Sequence, residues 1–224
     1  MARSVRIITL PGVFQPRSDA RLLAAAMRAR GLASGARVLD VFTGSGALAV
    51  AAAREGARAV TAVDVSRRAL LSAALNARRN GVRVRVRRGD LFAPVAGERF
   101  ELILANPPYV PSGADGDGLP RRGAARAWEG GGDGRALLDR LCAEAPAQLV
   151  PGGTLLLVQS SVCGDDETLA RLRAGGLRAE RVAAERGPLG PLMSSRAAGL
   201  EARGLLAPGE RSEELLVIAA TAPR

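Results

Sequence analysis

The chain of 224 residues has no histidine and no lysine, only two cysteines, and a mere 3% of aromatic residues. Without histidine, imidazole-based acid–base chemistry and histidine metal ligands are excluded. Cys142 and Cys163 stand too far apart for a zinc knuckle or a redox pair, so no metal is expected and both thiols read as buried and neutral. No stretch of about 18 uncharged apolar residues occurs, so no membrane span is expected, and Met1 to Leu10 lacks a signal-like apolar run. A cytoplasmic enzyme is the simplest placement. All 32 basic residues are arginine, and an excess of Ala, Arg and Gly without Lys follows GC-rich codon usage. The net charge of +10 is therefore only a modest pointer to anionic or ribosome-associated partners.

What the chain does contain is an apolar run that stops abruptly. Leu102 to Ala105 reads as a strand buried on both faces, and Asn106-Pro107-Pro108-Tyr109 then forbids both helix and further strand pairing. The carboxamide of Asn106 is left at the strand's carboxyl end, where open α/β sheets bind ligands. Methylation of a planar nitrogen with a delocalised lone pair suits such a group. The Asn106 oxygen and the Pro107 carbonyl can each accept an N–H bond and orient the nitrogen, with Tyr109 stacking on the flat acceptor.

Upstream, Val5 to Leu10 reads as a short strand, and Ser18 or Asp19 as the cap of a helix running to Gly31. Ala36 to Val41 is the first sheet strand and leads through Phe42-Thr43-Gly44-Ser45-Gly46 into an Ala-rich helix. Gly44 and Gly46 would let backbone approach a ligand. Ala59 to Asp64 forms the second strand and Val82 to Val86 the third, which ends at Gly89-Asp90-Leu91-Phe92. Arg83, Arg85 and Arg87 on that third strand would share one solvated face. Asp40, Asp64 and Asp90 thus follow three successive strands, and an acid ending the second strand suits ribose hydroxyls.

Further on, the loop of residues 111–134 is too long for a simple connector and carries Trp128, the single tryptophan, so it reads as a lid. A helix from Arg135 to Leu149, strands at Thr154 to Val158, Arg178 to Ala184 and Leu215 to Thr221, and a helix at Asp166 to Ala174 complete the pattern. Residues 186–214 read as an insertion in the terminal hairpin with a short helix at Ala197 to Arg203. The expected architecture is one α/β domain over residues 1–224, with a doubly wound, mostly parallel seven-stranded Rossmann-like sheet and an antiparallel C-terminal strand.

These motifs, from Val13 to Val158, resemble the class I S-adenosylmethionine-dependent methyltransferases, and more closely the HemK/PrmC family of protein-glutamine N5-methyltransferases. The resemblance implies S-adenosylmethionine as cofactor, held by Asp40, Thr43, Gly44 and Gly46 along its methionine part. Asp64 with Val65 would hold the ribose, Asp90 with Leu91 the adenine, and Asn106 would face the cofactor too. Residues 1–35 would close over it through Phe14, Pro16, Ser18 and Asp19. Asn106, Pro107 and Tyr109 would be catalytic, and Asn106, Pro108, Tyr109 and Trp128 would bind the acceptor. Trp128 with Gly130 to Gly134 resembles the glycine turn of the short archaeal and eukaryotic branch. The chain departs from the family at Phe42, where glycine is usual, and at Ala20, where a hydroxyl is usual. The resemblance further implies a release-factor-like protein substrate and a chain working as a monomer or with a small accessory partner. Asn-Pro-Pro-Tyr also serves adenine-N6 and guanine-N2 methyltransferases, so RNA, DNA or a small molecule stays open as acceptor.

Overall fold

The computed structural model describes residues 6–112, 118–120 and 123–224. Its centre is a sheet of seven strands in the order β3-β2-β1-β4-β5-β7-β6. These are β1 (Arg37–Val41), β2 (Ala59–Asp64), β3 (Arg85–Arg88), β4 (Phe100–Ala105), β5 (Leu149–Ser160), β6 (Arg178–Pro188) and β7 (Ser212–Thr221). β7 runs antiparallel to both of its neighbours, while β1 to β5 pair in parallel. The chain winds outwards from β1 to β3, then returns to β4 on the other side of β1. The topological switch therefore falls between β1 and β4.

Among the described residues the α-helices are α1 (Ser18–Ala29), α2 (Ala47–Arg54), α3 (Arg67–Arg79), α4 (Ala136–Glu144), α5 (Asp165–Ala174) and α6 (Pro191–Ala202). The inner strands are apolar on both sides because each side meets a helix layer. Leu23 and Met27 of α1 and Leu48 of α2 pack with Val38, Leu102, Leu104 and Leu156. On the opposite face Leu138 and Leu141 of α4 and Leu169 and Leu172 of α5 pack with Leu39, Ile103 and Leu155. Each leucine fully removed from water contributes about 1.5–3 kcal/mol before the cost of ordering it, so these two layers fix the strands that carry the site.

Three local expectations change. Residues 6–10 form no strand. Their backbone is held by side chains of α3 and its C-cap: Asn80, Asn76 and Ser72 bond the main chain of Arg6, Ile8 and Leu10 in turn. Two extended residues advance about 6.6 Å and four helical residues about 6 Å, so the two repeats stay in step. Strand β3 begins three residues later than Val82, its pairing with β2 starting at Thr61 opposite Arg85. Arg87 on it is tied to Glu98 and to the Pro94 carbonyl, so it is not one of a solvated row. Finally, α6 starts at Pro191 rather than Ala197, because proline at the first helical position gives up an N–H that has no partner there anyway.

Candidate active site

Val41 lies level with both Val63 and Ala105 in the sheet register, so the turns after β1, β2 and β4 leave the sheet side by side. A cavity of about 360 Å³ opens there. Its floor is the turn Phe42 to Ser45, one wall is Asp64 to Arg67, and the opposite wall is Asn106 to Val110. Phe14, Pro16, Asp19 and Ala20 close it from the N-terminal side, and Ala124 to Trp128 cover it from the loop after β4. A second cavity of about 280 Å³, lined by Asp90, Leu91 and Arg140, shares Phe42, Asp64, Val65, Pro108 and Arg126 with the first. The two adjoin along these shared residues, and Asp64 lines both.

The three acids do different work. Asp64 accepts the Gly44 amide through one oxygen at 2.9 Å and the Ser66 amide through the other at 2.8 Å, and burial raises its pKa. Asp90 lies half exposed in the second cavity and pairs with Arg140 at 2.9 Å. Asp40 lines neither cavity. It is fully buried, accepting the Thr43 hydroxyl at 2.5 Å and the Ala49 amide at 3.0 Å, while its other oxygen has no partner. Burial pushes its pKa up to about 7. Asp40 thus stands beneath the turn, bonding Thr43 and the first turn of α2.

Gly44 and Gly46 separate in the same way. Gly44, at φ +53°, lines the cavity. Gly46, at φ +79°, does not. A Cβ there would lie 2.7 Å from the Ala73 backbone, so this glycine lets α2 approach α3. Phe42 holds φ +59°, a conformation that costs a side-chain-bearing residue roughly 1–2 kcal/mol. The backbone keeps a glycine-like shape, and the ring packs on the core while lining both cavities. Leu91 also has positive φ, at +48°, and is buried.

In the N-terminal segment, Phe14, Pro16 and Asp19 reach the cavity, whereas Ser18 is the first residue of α1 and does not line it. Arg17, not Ser18 or Asp19, is the N-cap. Asp19 nevertheless reaches back to the Arg17 amide at 3.3 Å and to the Ala20 amide at 2.6 Å. Its second oxygen accepts the Asn106 Nδ2 at 3.1 Å, with the Tyr109 hydroxyl at a longer 3.4 Å. Asp19 is 4% exposed, while Asn106 is partly buried and lines the cavity.

The Asn106 to Tyr109 turn is fixed from behind. Val110 donates to the Trp128 carbonyl at 2.8 Å and accepts the Gly130 amide at 3.0 Å, and Ser112 donates to Gly131 at 2.8 Å. A Cβ at Gly130 would stand 2.7 Å from the Pro108 carbonyl oxygen, and one at Gly134 would stand 2.3 Å from that of Tyr109. The described end of the presumed lid is therefore packed against the turn. Residues 113–117 and 121–122 of that lid lie outside the described residues.

Sequence reasoning missed several charged side chains. Arg196 of α6 bonds the Pro111 carbonyl and Glu129, both at 2.6 Å, and Arg203 bonds the Ser112 carbonyl. Arg135, itself buried, links Cys163, Gly164 and Thr168 to Asp139. In an arginine-rich chain nothing local marks these few. Cys142 and Cys163 are buried, and burial pushes the Cys142 thiol up to about 11 and that of Cys163 higher still. Among the described residues no cluster suits a metal ion, and no helix is long and apolar enough to cross a membrane.

Residues 4–122 match the family described as the methyltransferase small domain. A protein of Methanocaldococcus jannaschii named "Putative protein N5-glutamine methyltransferase" is 34% identical over 183 residues, 82% of this chain and 90% of that protein. The release factor glutamine methyltransferase of Gloeobacter violaceus is 37% identical over 180 residues, 77% of this chain but only 62% of the longer relative. In fold, the chain is similar to the E. cuniculi Mtq2-Trm112 complex, described as methylating the eRF1 translation termination factor. That similarity has a TM-score of 0.64 at 22% identity and covers 94% of this chain and 99% of that one. With its glycine turn, Asp64 and Asn-Pro-Pro-Tyr turn around one cavity, the chain belongs to the methyltransferase small domain family, in its HemK/PrmC branch of S-adenosylmethionine-dependent enzymes.

Proposed function

We propose that this protein methylates the side-chain amide nitrogen of a glutamine in a release-factor-like protein, using S-adenosylmethionine. The carrying observation is that Asn106, Pro107 and Tyr109 line the same cavity as Gly44 and Asp64. An acceptor nitrogen held by the first group would lie within reach of a cofactor held by the second. The two adjoining cavities suit that cofactor: the cradle at Gly44 has no side chain to fill it, Asp64 offers acceptors to both, and Asp90 lies in the second. Thr43, Gly44 and the start of α2 would take the methionine part, Asp64 and Val65 the ribose, Asp90 and Leu91 the adenine. Phe14 and Pro16 would wall the near side. When bound, the cofactor supplies a methyl group on a positively charged sulfur.

The chain's own residues do the rest. A carboxamide nitrogen donates its lone pair into the neighbouring carbonyl and is a poor nucleophile. Asn106 and the Pro107 carbonyl would accept its two N–H groups, fix its plane, and favour the positive charge that grows on it during transfer. Tyr109 and Trp128 would flank the flat amide. Phe42 lines the cavity where the family usually has glycine, which narrows the space next to Asp64.

The names of the relatives support a protein acceptor, and an acceptor among translation factors agrees with a cytoplasmic enzyme. A small accessory partner, as in the Mtq2-Trm112 complex, is compatible with this reading. A nucleobase is the second acceptor, favoured by the +10 charge, although four Phe, one Tyr and one Trp leave few rings for stacking bases. The test is single-turnover transfer of labelled methyl to a release factor carrying its glutamine loop and, separately, to RNA and DNA. Label is expected in the protein, and Asn106→Ala should slow it about a hundredfold while cofactor affinity stays nearly intact. Label in nucleic acid alone, or a wild-type rate for Asn106→Ala, overturns the reading.

A further inference from the structure

We infer that Asp19 is a positioning residue for Asn106: it decides which atom of the Asn106 carboxamide faces the acceptor. The inference rests on the methyl-acceptor role proposed for Asn106 and adds a residue from a separate element, α1. A carboxylate only accepts hydrogen bonds, so the group turned towards Asp19 must be the Asn106 NH2 whichever way the amide is drawn. The 3.1 Å contact is therefore self-consistent, and it leaves the Asn106 oxygen free to face the cavity. With the amide turned over, NH2 would face an acceptor's N–H groups and two donors would meet.

Asp19 is itself held firmly. Its first oxygen accepts the Arg17 and Ala20 amides at the start of α1, and its second serves Asn106 and Tyr109. Such a carboxylate, 4% exposed, keeps its geometry without water's help. Tyr109 shares the same carboxylate through its hydroxyl, and burial, then the charge of Asp19, raise the pKa of its phenol. A charge bonded to one end of a carboxamide also strengthens its other end as an acceptor, through the same polarisation that couples hydrogen-bond chains. Asparagine cannot replace Asp19. It has one acceptor oxygen, so its NH2 must confront either the Arg17 and Ala20 amides or Asn106.

The contact is tested first on the unaltered, ligand-free protein by nitrogen-15 NMR of the Asn106 side chain, assigned by its loss in Asn106→Asp. One NH2 proton should exchange with water at least about tenfold more slowly than those of an exposed asparagine, and Asp19→Ser should abolish the difference. Two equally fast protons in the wild type overturn the contact, even if no Asp19 variant folds. The role is tested by a mutant cycle in single-turnover transfer to a release-factor glutamine. Asp19→Asn should slow transfer about tenfold or more in the wild-type background and less than twofold in Asn106→Ala, since both changes remove one function. Binding of S-adenosylhomocysteine should change less than threefold. Equal slowing in both backgrounds, or a tenfold loss of that binding, would make Asp19 a cofactor ligand and overturn the inference. A wild-type rate for Asn106→Ala would instead remove the acceptor reading, with the NMR result still reporting on the contact itself.

Discussion

The carboxylate of Asp64 accepts the backbone amide of Gly44 at 2.9 Å, so the acid that ends β2 also holds the glycine turn that follows β1. Removing it would take away a ligand acceptor and release the turn at once. Asp64→Ala should weaken S-adenosylhomocysteine binding by about tenfold or more, the scale of losing one buried acceptor. Because burial raises its pKa, wild-type binding should also fall on acidification sooner than an ordinary aspartate would dictate. Isothermal calorimetry at several pH values checks both; unchanged affinity in Asp64→Ala would sink the assignment.

Asp40 should make the fold itself pH-dependent. Its carboxyl ionises near 3.8 when unfolded and near 7 when folded, so between those values the folded chain holds an extra proton. Raising the pH through that window therefore weakens the fold, by about 4 kcal/mol at most. Asp40→Asn keeps an oxygen for Thr43 and Ala49 and cannot ionise, so its stability should vary less. Urea midpoints of the two ligand-free proteins at pH 5 and pH 8 measure the difference.

Gly46 is a packing residue in a positive-φ conformation. Gly46→Ala should cost about 2–4 kcal/mol, the sum of an overpacked α2–α3 contact and left-handed strain. Gly44→Ala, with no atom nearer than 4.0 Å to its added Cβ, should destabilise less and act on ligand binding instead. Thermal unfolding separates the two, and equal losses would refute the distinction.

Trp128 is the only tryptophan and lines the main cavity. Its emission should shift when cofactor and acceptor are added together, since both would alter the polarity around the ring. A steady spectrum throughout turnover would show that the ring does not meet the bound ligands.

Much of this protein was legible from its residues alone. The apolar runs of β1, β2, β4 and β5 and the glycine and proline stops after them define a doubly wound sheet, because a strand buried on both faces leaves no polar positions and ends where backbone bonding must end. Asp64, Gly44 and Asn106 stand out because a turn at the carboxyl end of a parallel strand has few other uses. Tertiary structure decided the division of labour among residues that look alike in sequence. Asp64 ends β2 and Asp40 stands one residue from the end of β1, yet Asp40 is buried and lines neither cavity while Asp64 lines both. Gly44 and Gly46 differ because only one faces a helix at 2.7 Å. Arg196 could not be distinguished among 32 arginines until α6 brought it to Pro111 and Glu129. The pairing of Asp19 with Asn106, 87 residues apart, likewise arises only because the start of α1 comes beside the turn that follows β4. Periodicity and turn chemistry are local properties and can be read in order along the chain; which buried carboxylate meets which amide depends on the packing of whole elements, and no local pattern encodes it.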